Sequence, residues 1–312
     1  MSEEGKKFRL VTRSDFDGLV CAVLFKEMNM IDDIKFVHPK DMQDGKVEIN
    51  SRDITTNLPY VEGAYMVFDH HLSETLRNKG PRPNHIIQAD ALSAARVVYN
   101  YYGGKERFPK ISDEMMLAVD KADAAQFSVE EILHPTEWVL LNYLMDPRTG
   151  LGRFREFRIS NYQLMMDLID SCKTMTIDQI LQIPDVKERV ELYFEQEEKF
   201  KAQVKRCSTI YKNLIILDLR KEEIIHAGNR FMIYAMFPDT NISIHMMMGF
   251  RNQNTVFACG KSIVNRSSRT NIGELMLKYG GGGHHAAGTC QIDHDQVDRV
   301  RTELVEQINC DG

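Results

Sequence analysis

The sequence predicts an α/β protein in two parts: an N-terminal domain with a mainly parallel sheet flanked by helices, and a smaller mixed α/β C-terminal domain joined to it by a helical linker. Three observations carry this. Residues 8 to about 125 alternate strand-like and helix-like apolar runs, the pattern of a parallel sheet with crossover helices. Residues 186–206 are charged at helical spacing (Lys187, Glu188, Arg189, Glu191, Glu195, Glu197, Glu198, Lys199, Lys201, Lys205), as expected of a solvated helix bridging domains or of an ordinary surface helix. Finally, 312 residues are long for a single core. The expected boundaries are 1–185, a linker at 186–208, and 209–312.

In chain order, Phe8 to Thr12 reads as a strand, Arg13 to Gly18 as a turn and Leu19 to Met28 as a buried helix. Ile34 to His38 reads as the second strand. A third short segment closes at Val47–Asn50 or Ser51–Asp53, and Ala64 to Phe68 forms the next strand. Asp90 with Ser93 marks a helix start, with Ala94 to Tyr99 ending at Gly103-Gly104. Met115–Lys121 and residues 155–183 continue as helix, and Pro184 breaks the second. In the second half, 214–219, 231–237, 242–248 and 255–259 read as strands and 271–278 as helix. Met246-Met247-Met248 reads as a core strand.

Hydrophobic content of 43% and charged content of 27% describe an ordinary globular chain. The first seven residues lack the apolar core of a signal peptide, and no apolar run approaches the roughly 20 residues of a membrane span. Six cysteines without a CxxC pair argue against a zinc ribbon or a disulfide framework and for reduced thiols in a cytoplasm. The net charge of −6 does not suit non-specific duplex binding, although a local basic pocket can still hold a small phosphorylated ligand.

The chemistry gathers around Asp69-His70-His71, which follows the apolar run Ala64 to Phe68. A buried strand ending this way delivers its polar groups to the crevice outside the strand ends of an open sheet. Imidazole with carboxylate suits a divalent metal. Asp15 and Asp17, at a strand-to-helix turn, are candidates for the same cavity. Helix capping accounts for one of them, not both. Asp53, and Asp123 or Asp120, complete the candidate set. So many carboxylates need cations. Two divalent ions about 3.5–4 Å apart, bridged by one carboxylate, would serve and would clamp a phosphoryl oxygen. In the second half, Gly280 to Gly283 could bring backbone N–H groups close to an anion, or Gly280 could merely end a helix.

These segments together resemble the DHH-family phosphoesterases with a DHH-associated C-terminal domain. Asp15-Phe16-Asp17-Gly18 is similar to the family's first motif, Arg52-Asp53-Ile54 to its second, Asp69-His70-His71 to its third and Asp123 to Phe127 to its fourth. Val264 to Ser268 and Gly280 to Gly288 resemble its substrate-binding segments. The resemblance implies that Asp15 and Asp53 hold one metal, and that Asp17, Asp53, His70 and Asp123 hold another, with Asp53 bridging. It implies that His71 donates to the reacting phosphate or leaving group and that Asp69 orients a histidine. It also implies that Arg266, Ser267, Gly281, Gly282, Gly283, His284 and His285 bind substrate. The preferred ion is Mn2+, as one or two ions, with Mg2+ as the alternative. Arg13 stands where family members usually carry a histidine. It cannot ligate a metal, which leaves three readings: a first metal site short of a nitrogen ligand and weak, water-completed or empty; Arg13 contacting a substrate phosphate as a catalytic group; or Arg13 paired with a carboxylate beside a single ion.

The expected activity is metal-dependent hydrolysis of phosphodiester or phosphomonoester bonds in a short RNA, a dinucleotide or pAp. The alternatives are a pyrophosphatase or exopolyphosphatase, and a non-catalytic nucleotide-binding protein with a degenerate metal site. The expected partners are a small phosphorylated substrate, with no stable duplex DNA and no membrane; a homodimer is left open.

Overall fold

A computed structural model describes residues 7–71, 80, 82–154 and 156–312. The amino-terminal stretch read for a signal peptide lies outside the described residues except for Lys7. So does residue 155, the expected start of one helix.

The chain divides into two compact units. The first comprises residues up to 126 together with 135–191, and the second comprises 127–134 together with 192–312. In the first unit the described strands are β1 (Phe8–Thr12), β2 (Ile31–Phe36), β3 (Asp53–Thr56), β4 (Met66–Asp69) and β5 (His85–Ile87). They form a sheet of order β2-β1-β3-β4-β5 in which every pair is parallel. From β1 the chain moves first to β2 on one side and then to β3 on the other. The strand order therefore reverses between β1 and β3, and a crevice opens at their carboxyl ends.

Helix α1 (Phe16–Glu27) makes the first crossover, and its residues 16–25 are all buried. A helix apolar on every side can only sit inside a core. It packs among three later helices, α3 (Ala94–Tyr101), α5 (Asp113–Asp123) and α8 (Asn161–Thr174). Between them in the sequence come the short helices α2 (Pro39–Gln43), α4 (Gly104–Arg107), α6 (Val129–Leu133) and α7 (Glu137–Met145), of which α6 belongs to the second unit. Ser93, not Asp90, caps α3, accepting from Arg96 N at 3.0 Å. The expected helix at 155–183 begins at Asn161 and is followed by the separate helix α9 (Ile177–Leu181).

Pro184 starts a helix and does not merely end one. Helix α10 (Pro184–Cys207) runs continuously across the division between the units. It is not solvated all round. Val186, Arg189, Tyr193, Gln196, Phe200, Gln203 and Val204 are buried at spacings of three, four and seven, the stripe of an amphipathic helix. The charged residues other than Asp185 and Arg189 occupy the remaining surface.

The second unit is built on a mixed sheet of order β10-β11-β9-β8-β7-β6: β6 (Ser208–Tyr211), β7 (Leu214–Asp218), β8 (Ile242–Met248), β9 (Thr255–Lys261), β10 (Gly282–His284) and β11 (Ala287–Ile292). Only the β7–β8 pair is parallel among these. Alternate residues Ile242, Ile244 and Met246 of β8 join Phe257 and Cys259 of β9 in a core. Helices α12 (Ile272–Leu277) and α13 (Val297–Asp311) cover that core through Ile272, Leu275, Met276, Val300, Leu304 and Ile308. The segment expected as a strand at 231–237 is instead helix α11 (Met232–Met236). Its apolar run is buried either way, and run length alone does not separate a strand from a short buried helix. Among the described residues no helix is long and apolar enough to cross a membrane.

Candidate metal centre

The ends of strands β1 and β4 and of helix α5 supply the first unit's polar cluster, and backbone geometry places each. β1 ends at Thr12, and Arg13, Ser14 and Asp15 lead into α1. Asp15 caps α1, its Oδ1 accepting from Gly18 N at 3.0 Å. The glycine of this turn has a steric cause: a Cβ on Gly18 would stand 2.1 Å from the Arg13 carbonyl oxygen and 2.8 Å from Thr12 Oγ1. Asp17, one residue into the helix, is turned inward and is 2% exposed. Its carboxylate accepts from Ala94 N at 3.0 Å and Ala95 N at 2.7 Å, the free amides at the start of α3. The two aspartates thus serve different ends, one capping α1 and one joining α1 to α3.

β4 ends at Asp69, fully buried, with Oδ1 accepting from His70 N at 2.8 Å, His71 N at 3.2 Å and His71 Nδ1 at 2.6 Å. Its Oδ2 has no hydrogen-bond partner among the described residues. His70 Nδ1 lies 3.1 Å from the Ala91 carbonyl oxygen, which fixes the proton on Nδ1 and turns Nε2 inward. Nε2 lies 2.9 Å from Asp123 Oδ2, close but poorly aligned as a hydrogen bond. With the ring neutral, an imidazole lone pair and a carboxylate oxygen face each other, two acceptors that a cation reconciles.

Ligand atoms of Asp17, His70 and Asp123 all lie within 4.8 Å of one another. Two carboxylates and one imidazole of fixed tautomer, gathered at that range, fit a divalent ion. The electrostatics agree. Burial, and then the charge of Asp123, pushes Asp17 up to about 7. Burial alone would lower His70, but its close contact with Asp123 and the charges of Asp123 and Asp17 hold it up at about 9. Burial would raise Asp123, and contact with His70 instead lowers it. His71 is likewise raised: burial would lower it, and the bond to Asp69 together with that carboxylate's charge outweighs burial.

Asp53 does not join this group. β3 begins at Asp53 rather than ending there, and its partner across the sheet is Arg9, near the start of β1. It therefore lies at the amino edge of the sheet, opposite the strand ends that carry the cluster. Its oxygens are taken by Arg9 Nε at 2.8 Å, Arg9 Nη2 at 2.9 Å and Asn50 N at 2.8 Å. The β-branched run Ile54-Thr55-Thr56 is the strand itself, and the residue delivered to the carboxyl edge is Asn57. Asn57 is 1% exposed, and neither polar atom of its side chain has a partner among the described residues. A Thr-Thr-Asn strand end after alternating residues is the sequence signal for it. Asp120, the alternative to Asp123, is held by Arg96 (2.6 and 2.9 Å) and Ser93 Oγ (2.7 Å) and serves packing.

Two arginines border the cluster. Arg13 Nε is 3.1 Å from Asp15 Oδ2. Arg148, which the sequence reading missed, follows α7 in a turn secured by Asp146, whose Oδ1 accepts from Arg148 N at 2.9 Å and Nε at 2.7 Å. Burial would lower the Arg148 guanidinium, but the charges of Asp146, Asp15 and Asp123 raise it. Its sequence signal was faint: an Asp-Pro-Arg turn with no neighbouring motif.

In the second unit the glycine-rich segment is a β-hairpin and not an open loop. Gly282 pairs with Thr289, Gly283 with Gly288 and His284 with Ala287. A Cβ on Gly281 would stand 2.1 Å from the Thr289 carbonyl oxygen, so close packing against β11 accounts for that glycine. His284 and His285 are exposed at the tip. Lys261 Nζ, on β9, lies 3.4 Å from His285 and donates to the Ser268 carbonyl oxygen at 3.1 Å. Ser267 Oγ bonds Asn265 at 2.7 Å and Asn241 at 3.0 Å, and Arg266 Nε bonds the Ile263 carbonyl oxygen at 3.1 Å. Lys261 is a further polar group that the sequence reading did not select.

A five-stranded parallel sheet bearing an Asp-His-His strand end, with a second mixed-sheet unit after it, defines a class of phosphoesterase. The comparisons give its family. The chain is 65% identical to the pGpG-specific phosphodiesterase PggH from Vibrio cholerae, over 98% of this chain and 100% of that one, with a TM-score of 0.86. It belongs to the DHH phosphoesterase family and is a hydrolase of phosphate esters. The same fold recurs, at 13% identity and a TM-score of 0.53, in an exonuclease RecJ bound to manganese (98% of this chain, 91% of that one). It recurs also in CDC45 from Entamoeba histolytica, at 9% identity and a TM-score of 0.51 (98% and 96%). No family model matches the chain, and no curated protein matches it.

Proposed function

We propose that this protein hydrolyses the linear dinucleotide pGpG, adding water across its phosphodiester to release two molecules of GMP. The observation that carries the reading is the 65% identity, over essentially the whole of both chains, to a phosphodiesterase described as specific for pGpG. Asp17, His70 and Asp123 are the proposed holders of a divalent ion, Mn2+ in preference to Mg2+ because of the imidazole donor. Such an ion, when bound, supplies Lewis acidity and a nucleophile at neutral pH.

The chain's own groups have separable tasks in this proposal. Ala91 and Asp17's helix contacts keep His70 and Asp17 in place before any ion arrives. His71, held by Asp69 and a third exposed, donates to a phosphate oxygen or to the departing hydroxyl. Arg13 and Arg148 offer guanidiniums to the phosphate. In the second unit Arg266, Ser267, His284 and His285, with Lys261, are the proposed substrate-binding groups; Gly281, Gly282 and Gly283 shape the hairpin that carries the histidines. Free thiols at all six cysteines suit a reducing cytoplasm.

A substrate panel tests the proposal. The protein, with Mn2+ or Mg2+, is incubated with pGpG, pAp, a short RNA and pyrophosphate, and products are separated chromatographically. The expected result is GMP from pGpG at a rate well above every other substrate, abolished by EDTA. Preferential release of phosphate from pAp or pyrophosphate would replace this reading with one of the alternatives, and binding without turnover would make the protein a nucleotide receptor.

A further inference from the structure

We infer that this chain works with one divalent ion, and that Arg13, Arg148 and Asn57 together occupy the ground where a second ion would sit. The inference rests on the metal-dependent reading above and deepens it.

The sheet edge shows why. Thr12 and Thr56, the last residues of β1 and β3, are joined by their hydroxyls at 2.7 Å. Arg13 and Asn57 are the residues that follow them, so they emerge side by side at the point where the strand order reverses. Asn57 N in turn donates to the Phe68 carbonyl oxygen at 3.1 Å, which sets it level with Asp69 on β4. Along this edge the order is Arg13, Asn57, then Asp69-His70. The donor set of Asp17, His70 and Asp123 stands beside it.

A second divalent ion would need anionic donors of its own, and the two aspartates that the family resemblance implies for it, Asp15 and Asp53, are both taken up elsewhere. Asp15 has one oxygen on the Gly18 amide and the other on the Arg13 guanidinium. Asp53 is bound to Arg9 at the far edge. Asn57 is neutral and offers a single oxygen, so it cannot bridge two cations as a carboxylate does.

Asn57 is fully buried with both amide atoms unpartnered. Such a group in a native protein calls for a ligand. Its Nδ2 donates to a phosphate oxygen beside the Arg13 and Arg148 guanidiniums. The three residues thus replace a second ion with N–H donors, which bind phosphate strongly when charged.

The test is ion stoichiometry on the full chain, stripped with EDTA and titrated with Mn2+. Free Mn2+ is followed by electron paramagnetic resonance and heats by calorimetry. One ion per chain is expected, with no exchange-coupled signal at low temperature. The double variant Arg13→His with Asn57→Asp is expected to take up two ions and to show the coupled signal. Two ions of comparable affinity in the unaltered protein would overturn the inference while leaving metal-dependent hydrolysis intact. No bound ion at all would overturn both. A second measurement does not depend on the double variant folding. Arg148→Gln is expected to raise KM for pGpG at least tenfold with the count still at one ion, and an unchanged KM would remove Arg148 from the phosphate site.

Discussion

Arg9 and Asp53 form a two-pronged ion pair whose carboxylate is buried and whose guanidinium is 24% exposed. The pair ties the starts of β1 and β3 together far from the metal donors. Asp53→Asn is therefore expected to cost about 2 kcal/mol in urea denaturation, the scale of a hydrogen-bonded charged contact, and to leave pGpG turnover per folded molecule unchanged. Loss of bound metal in that variant would return Asp53 to the centre. At the opposite edge, His70→Ala removes a proposed ion ligand. Turnover should fall by at least about 100-fold, and calorimetry should register the loss of Mn2+ binding while circular dichroism stays native. Asp69→Asn weakens only the orientation of His71. It should lower kcat by roughly 10–100-fold with Mn2+ affinity kept within a few-fold; an equal loss of metal would make Asp69 a ligand through its unpartnered Oδ2.

Elements explain why some motif residues are fixed for packing and others are free for chemistry. The hairpin of β10 and β11 needs a bare backbone at Gly281, where a Cβ would meet the Thr289 carbonyl oxygen, but not at Gly282, where nothing lies within 4 Å. Gly281→Ala should destabilise the second unit by about 1–3 kcal/mol, the usual cost of overpacking, while Gly282→Ala should unfold at nearly the wild-type denaturant concentration. Equal effects would show that the glycines serve an anion or the turn and not the strand contact. Helix α10 makes a related point. Its charges suggested a solvated rod, yet Arg189 is 1% exposed, donating from Nη1 to the Asp185 carbonyl oxygen at 2.7 Å and from Nη2 to the Ile159 carbonyl oxygen at 2.7 Å. A charged residue can be interior when backbone carbonyls satisfy its fork of donors, and composition cannot reveal that.

For the molecule as a whole, the metal-free centre is a cluster that holds protons in place of an ion. Asp17 at about 7 and His70 at about 9 both lie above their ordinary values. A group raised on folding lends stability below its unfolded pKa and loses it as pH rises through the folded one. The apo protein should therefore lose stability from about pH 4 to about pH 7 through Asp17, and on to about pH 9 through His70. An ion displaces those protons, so Mn2+ should bind more tightly as pH rises over the same window. In thermal melts the shift in Tm on adding saturating Mn2+ should be larger at pH 8.5 than at pH 6. A pH-independent shift would mean that neither group is a ligand.

The sequence by itself determined the class of fold, the buried first helix and the chemistry of the Asp-His-His strand end. Those depend on local hydrophobic period and on residue types that carry a cost wherever they are buried. It also singled out Asp17 and His70, which stand at element ends, and Asp123, which the family resemblance favours over Asp120 through its spacing to Phe127. It could not say which end of a four-residue strand faces the crevice. A shift of the β3 boundary by a few positions exchanged Asp53 for Asn57, and only the pairing of β3 with β1 fixed it. Arg148 was likewise invisible, since its proximity to Asp15 and Asp123 joins residues more than 20 positions apart or over 100 through the packing of separate elements. Tertiary structure decided which of the candidate charges meet, because Coulomb interactions depend on distance in space, to which separation along the chain is only a weak guide.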